Sequence, residues 1–359
     1  MACNSPYPRR VACLRVANIA GLRHYRDLMH AAEPTLAPMS FDDVVALSRD
    51  DMAAVDELIS ENLASDVALV SQVSEYIVLS GGKRLRPLIV LLASRGLGYA
   101  GKQHRRAAAI IEFIHTATLL HDDVVDSSDR RRGKDSANTV FGNQASVLVG
   151  DFLYSRAFQM MVNIDSMRVM QILADATNTI AAGEVMQLMN VHDPDTSEDS
   201  YRQVIYRKTA RLFEAGAQIA AVLAGQPQHE AAMLAYGQHL GEAFQLIDDA
   251  LDFNASAEEL GKNLGDDLAE GKATLPLIYA MRQGTDDERD MIRRAIVSGG
   301  LEQLDSIRAV IESTGALQYT AARAQEAANL AIAALSRIPD SDHKQALIAI
   351  AEFAVQRRS

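Results

Sequence analysis

Two stretches constrain this chain more than any other: Asp122-Asp123-Val124-Val125-Asp126 and Asp248-Asp249-Ala250-Leu251-Asp252. Each closes a long apolar segment and places carboxylates at i, i+1 and i+4. On a helix the first and last share one face, a turn apart. Like charges at that spacing repel by roughly 0.2–0.5 kcal/mol per exposed pair. The first set also falls at a helix C-terminus, where the helix dipole disfavours anions. Neither helix gains stability from them. They make sense if something multiply positive lies over the face, and Mg²⁺ is held by a few carboxylates plus waters and substrate phosphates. The pair predicts two long helices whose acidic faces grip one diphosphate through Mg²⁺.

The rest of the sequence agrees with helices. Hydrophobic residues make up 48% and aromatics only 5%, with few of the β-branched alternations that mark strands. The expectation is an all-α chain without strands. A net charge of −12 argues against nucleic-acid binding, which needs a basic footprint. Anionic substrates must then be met by local basic clusters or metal ions. The only cysteines, Cys3 and Cys13, precede the predicted folded region, which fits a reducing compartment. No apolar run approaches the length of a membrane span.

Residues 1–38 differ from the remainder. Five arginines against Asp27 and Glu33 give +3, leaving −15 for residues 39–359. Such an Arg-rich start is either an extension without fold or a mitochondrial targeting segment. The two readings place the protein in the cytoplasm or the mitochondrial matrix. Residues 39–359 are predicted to form one all-α domain, starting at an N-cap, Ser40. Helices are expected over 41–64, 66–79, 88–94, 103–126, 137–163, 166–190, 197–223 and 228–254, with charged loops at 127–135 and 261–272.

Basic motifs sit between and after the acidic stretches. Gly81-Gly82-Lys83-Arg84-Leu85-Arg86-Pro87 lies at a helix start, where glycines allow backbone approach and the N-terminus favours anions. Arg130-Arg131-Arg132-Gly133 follows the first acidic stretch, so guanidinium groups come close behind carboxylates. Gly261-Lys262-Asn263-Leu264-Gly265-Asp266-Asp267 and Glu270-Gly271-Lys272 follow the second; their glycines suit a lid, and their lysines a phosphate contact.

Together these motifs resemble the trans-polyprenyl diphosphate synthases, the head-to-tail isoprenoid chain-elongating enzymes. The match comprises GGKRLRP, HDDVVD with RRRG, Lys208-Thr209, FQLIDDALD and GKNLGDDLAEGKATLPL, in the family's order over roughly residues 70–285. The resemblance implies an all-α isoprenoid synthase bundle around a central cavity, a homodimer, and Mg²⁺. Carried over by position, Asp122, Asp126 and Asp248 resemble the main Mg²⁺ ligands, with Asp123, Asp249 and Asp252 in support. Arg131, Lys208, Lys262 and Lys272 are implied as allylic-diphosphate contacts. Lys83, Arg86, His115 and Arg132 are implied for isopentenyl diphosphate. Thr209 and Gln245 would line the reacting centre. His115 precedes Asp122 by two helical turns and so shares its face.

Product length is read from the same helix. Thr118 and Ala117 lie one turn below Asp122, where short-product members of the family carry bulky aromatics. Ile114, Ile111 and Ile110 continue downward along a helix about 24 Å long from Arg106 to Asp122. The small pair predicts an open tunnel and an octaprenyl-to-decaprenyl product for quinone side chains, primed by farnesyl or geranylgeranyl diphosphate. Geranylgeranyl diphosphate synthase and a non-catalytic subunit of a heteromeric synthase are the alternatives. His121-Asp122 alone is too little for an HD-type phosphohydrolase. Glu112-x-x-His115 lacks the second copy that a di-iron bundle needs.

Overall fold

The computed structural model describes residues 39–78, 81–254 and 265–356. They are almost entirely helical, as expected. The first helix, α1 (Phe41–Leu47), opens on Ser40, whose side chain accepts the Asp43 amide while Asp43 returns a bond to the Ser40 amide. That reciprocal box satisfies two donors which a helix start otherwise leaves unpaired. The predicted 41–64 helix breaks at Ser48, and α2 (Arg49–Leu63) follows. Next come α3 (Ala68–Val78), α4 (Leu85–Gly96) and α5 (Gln103–Val125).

Helix α5 is the axis. Ala107, Ala108, Ala109, Ile110, Ile111, Ile114, Ala117 and Leu120 expose no surface. Alanines let neighbours approach closely, and α2, α4, α7 (Asn143–Val162) and α10 (Arg211–Leu223) all pack on it. Helix α10 in turn packs against α8 (Met167–Asn190) and α11 (Pro227–Asn254). Gly237 and Gly241, one turn apart on α11, sit where a Cβ would overlap the backbone of Phe213–Glu214 and Ala210. Their bare faces bring α11 close to α10 and so fix the height of Asp248.

Two further sequence expectations need correction. The predicted 137–163 helix is two, α6 (Ala137–Phe141) and α7, broken where Gly142 takes φ +87°. The chain is not strand-free: β1 (Arg130–Arg131) pairs antiparallel with β2 (Lys134–Asp135). The turn between them uses Arg132 at φ +54° and Gly133 at φ +76°. Two left-handed central residues are what a two-residue hairpin requires, and the cluster of charge hid that signal. The predicted 197–223 helix does run through, as α9 (Glu198–Ile205), a π-helical turn Tyr206–Ala210, and α10. After the second acidic stretch come the short α12 (Asp266–Ala269), α13 (Leu275–Gln283), α14 (Asp286–Ser298), α15 (Leu304–Ser313), α16 (Ala316–Ala334) and α17 (Asp342–Gln356). No described helix is long and apolar enough to cross a membrane.

Candidate active site

The C-terminal end of α5 and the last turns of α11 open onto one cavity of about 590 Å³. Asp122 and Asp126 line it from α5, and Asp248, Asp249 and Asp252 from α11. Lys83, Arg86, His115, Thr118, Arg131, Arg132, Lys208, Thr209, Gln245 and Lys272 line it too. Residues far apart in sequence are thus brought together as expected. Three expected residues are not among the lining. Asp123 and Ala117 are fully buried elsewhere, and Lys262 lies outside the described residues.

Asp122 and Asp126 are one helical turn apart, and each is met by a lysine. Lys272 Nζ is 2.8 Å from Asp126 Oδ2. Lys208 Nζ is 3.5 Å from Asp122 Oδ2 and 2.7 Å from Glu184 Oε2 of α8. Burial pushes Asp122 upward, and Asp126 adds to it. Burial acts the same way on Asp126, but Lys272 and Lys208 outweigh it and hold that carboxyl below its usual value. Burial and the nearby Asp122 raise Glu184 to about 7. Asp123 points away: its Oδ1 takes both Nε and Nη2 of Arg131 at 2.6 Å, a charge-assisted fork that aims Arg131 at the cavity.

The π-helical turn inserts an extra residue, a device often found at functional sites. Here it puts Lys208 and Thr209, adjacent in sequence, both on the cavity wall. Thr209 Oγ1 donates to Gln245 Oε1 at 2.8 Å, and Gln245 Nε2 donates to Asp249 Oδ1 at 2.8 Å. Tyr201 donates its hydroxyl to the other Asp249 oxygen. Both oxygens of Asp249 are therefore engaged, and burial with Asp267 nearby raises it to about 8.

The lining also carries a basic cluster. Arg86 Nη1 donates to His115 Nε2 at 3.2 Å and its guanidinium lies 4.4 Å over the Phe213 ring. Burial lowers Arg86 to about 10 and, with Arg86 and Arg132 beside it, pushes His115 well below its usual value. The imidazole is thus neutral and accepts. Arg84 pairs with Glu112 at 3.2 Å. The Arg132 guanidinium occupies the space a Cβ on Gly82 would take, so the hairpin tip packs directly on that glycine.

Beneath Asp122 the expectation holds only in part. Thr118 lines the cavity, its hydroxyl bonded to the His115 carbonyl at 2.8 Å. Ala117, Ile114, Ile111 and Ile110 do not; they expose nothing and belong to the packed core. Here α2, α4, α7 and α10 pack on α5, and these four side chains face them rather than the cavity. The remaining lining from α5 and α8 is Glu112, Leu119, Glu184, Gln187 and Asn190.

Sequence reasoning missed Glu184 and Tyr201, and it named Asp267 only as part of the glycine-rich loop motif, without a role. Glu184 sits in an ordinary helical stretch, and its partners Lys208 and Asp122 are remote in sequence. Glu112 was legible only as half of a metal motif; its partner is Arg84.

No three His, Cys, Asp or Glu side chains among the described residues already converge as a metal ligand set. Lysines occupy the positions a cation would share. The donor chemistry nonetheless fits a hard divalent ion: carboxylates from α5, α8 and α11 line the same cavity, and Asp122, Glu184 and Asp249 are each pushed upward by burial and by neighbouring carboxylates. Buried Glu184 Oε1 also has no hydrogen-bond partner.

The sequence model of the family described as "Polyprenyl synthetase" matches residues 67–314. The chain is 55% identical over 321 residues to octaprenyl diphosphate synthase of Escherichia coli (strain K12), covering 89% of this chain and 99% of that protein. It is 48% identical over 316 residues to the geranyl-diphosphate-specific all-trans-nonaprenyl-diphosphate synthase of Rhodobacter capsulatus, covering 88% and 97%. A polyprenyl synthase from Caulobacter crescentus CB15, solved with calcium and isoprenyl diphosphate, superposes with a TM-score of 0.87 at 46% identity, covering 90% of this chain and 100% of that one. With five separated motifs gathered around one cavity, these matches place the chain in the polyprenyl synthetase family, as an enzyme that transfers prenyl groups.

Proposed function

We propose that this enzyme condenses isopentenyl diphosphate onto an allylic diphosphate, head to tail, with Mg²⁺, and makes a long all-trans chain, octaprenyl to decaprenyl, for quinone side chains. The observation that carries the reading is one cavity lined by two acidic helix ends and by a set of arginine and lysine side chains. The named products of the two relatives support the long chain, and the calcium of the structural relative supports a divalent cation.

In this reading Asp122, Asp126 and Asp248 hold Mg²⁺ against the allylic diphosphate, with Asp252 beside them. Asp123 acts through Arg131, and Asp249 through Gln245 and Tyr201. Bound Mg²⁺ supplies positive charge to the leaving diphosphate. Arg131, Lys208 and Lys272 add theirs where charge develops as the allylic C–O bond breaks. Lys262 is a further diphosphate contact. Lys83, Arg86, neutral His115 and Arg132 hold isopentenyl diphosphate. Its double bond attacks the allylic cation, a C–C bond forms, and a proton passes to the released diphosphate. Thr209 and Gln245 lie at the reacting centre.

A second copy of the chain completes the proposal. Helices α7 and α8 leave Leu148, Val162, Val185, Leu188 and Met189 each at least 60% exposed. Large apolar exposure of this kind marks an interaction face, and a homodimer covers it. Residues 39–359 act as one synthase domain and 1–38 as an extension. The absence of cysteine after Cys13 fits the cytoplasm. A geranylgeranyl product is the second reading, favoured by the closed core around Ile110, Ile111 and Ile114.

Incorporation of labelled isopentenyl diphosphate by the purified protein tests the reading. Elongation should require both Mg²⁺ and farnesyl diphosphate, need no second polypeptide, and stop with chelator. Incorporation that needs another chain would favour the non-catalytic subunit instead.

A further inference from the structure

His192 lies outside the cavity lining, just past the end of α8, yet it joins three segments behind Lys272. Its backbone takes the left-handed conformation, φ +61°. Its amide donates to the Gly271 carbonyl at 2.8 Å. Its Nδ1–H donates to the carbonyl of Ile296, in the last turn of α14, at 2.9 Å. Carbonyls in that turn lack helical partners, and a histidine side chain is a suitable cap. Gly271 takes φ +73°, and a Cβ there would overlap the His192 ring. The next residue is Lys272, whose amide is tied to Asp267 O at 2.8 Å and whose Nζ reaches Asp126.

We infer that His192 is a positioning residue for Lys272: it clamps the Gly271 peptide against the end of α14 and so fixes where the ammonium meets the allylic diphosphate. This rests on the function proposed above. His192 is itself exposed, so truncating it leaves the core intact. Asparagine keeps a donor near the Nδ1 position and tolerates a left-handed backbone, which makes it the conservative replacement.

His192→Ala should raise KM for the allylic diphosphate about fivefold, roughly the loss of one positioned hydrogen bond. KM for isopentenyl diphosphate and the melting temperature should stay unchanged, and His192→Asn should restore the allylic KM. In a Lys272→Ala background His192→Ala should add nothing, because both act through one ammonium. A general structural role would lower melting temperature or shift both KM values, and would persist in the Lys272→Ala background; either result overturns the inference. Calorimetry with inorganic diphosphate and Mg²⁺ reads the same variants without turnover. There His192→Ala should weaken Kd about fivefold, and an unchanged Kd overturns the inference even if wild-type protein fails to elongate. Failure of wild-type elongation alone would overturn only the functional reading.

Discussion

Lys272 Nζ stands 2.8 Å from Asp126 Oδ2, so the loop after the second acidic stretch holds the last carboxylate of the first. Both groups are about 15% exposed, and Glu270 flanks the same ammonium. Burial opposes the charge on Lys272, but Asp126 and Glu270 outweigh it and raise the lysine above its usual range. The ammonium is therefore permanent at working pH, ready to exchange a carboxylate for a phosphate.

Removing that charge should be costly for one substrate. Lys272→Ala is expected to lower kcat/KM for the allylic diphosphate about 100-fold, on the order of 3 kcal/mol at 1.4 kcal/mol per tenfold. The KM for isopentenyl diphosphate should move little. Steady-state kinetics with each substrate varied in turn checks the split.

Glu184 offers a finer distinction, because it holds Lys208 by a 2.7 Å bond while Asp122 lies 3.5 Å from the same ammonium. Glu184→Gln keeps an acceptor for Lys208 and should cost about threefold in kcat/KM, whereas Glu184→Ala should cost about tenfold. Equal losses would show that its charge matters and its hydrogen bond does not.

Two substitutions beneath Asp122 should now behave differently. Thr118→Phe fills the cavity wall and should shorten the product without unfolding the protein. Ala117→Phe enters a closed core and should destabilise by about 1–3 kcal/mol. Product chromatography alongside thermal melting separates the two outcomes.

Stability at acid pH should depend on Asp51, which ties α2 to α4 and α5. Its carboxylate meets Arg95 at 2.8 Å, His104 at 3.0 Å and Arg105 at 2.6 Å. Burial works to raise Asp51, but those three partners together hold it far below its usual value. A depressed carboxyl stabilises the fold above its unfolded pKa of about 3.9 and loses that contribution as pH falls toward the folded value. Asp51→Asn should cost about 3 kcal/mol near neutral pH, with the gap narrowing below about pH 4. Urea unfolding at several pH values measures it.

Much of the site was legible because its charges make no structural sense alone. Two acidic helix faces and the basic motifs between them need a shared ligand, whatever the fold. The helix over Gln103–Val125 was legible because its apolar residues leave no other way to bury them. The break at Gly142 was not, since periodicity reports which side is buried and not whether the backbone is continuous. The roles of Asp123 and Asp249 were also hidden. Spacing gives them the same standing as Asp122 and Asp248, and only packing shows that one turns to Arg131 and the other to Gln245 and Tyr201. The closed wall around Ile114 was hidden for a related reason: an aliphatic stripe looks the same whether it faces a tunnel or a core.

Chromatography of the dephosphorylated product tests the central claim most directly. Purified protein with Mg²⁺, farnesyl diphosphate and excess isopentenyl diphosphate should yield an all-trans alcohol of eight to ten prenyl units, in the range of the relatives' named octaprenyl and nonaprenyl products. A product that stops at geranylgeraniol would contradict the account.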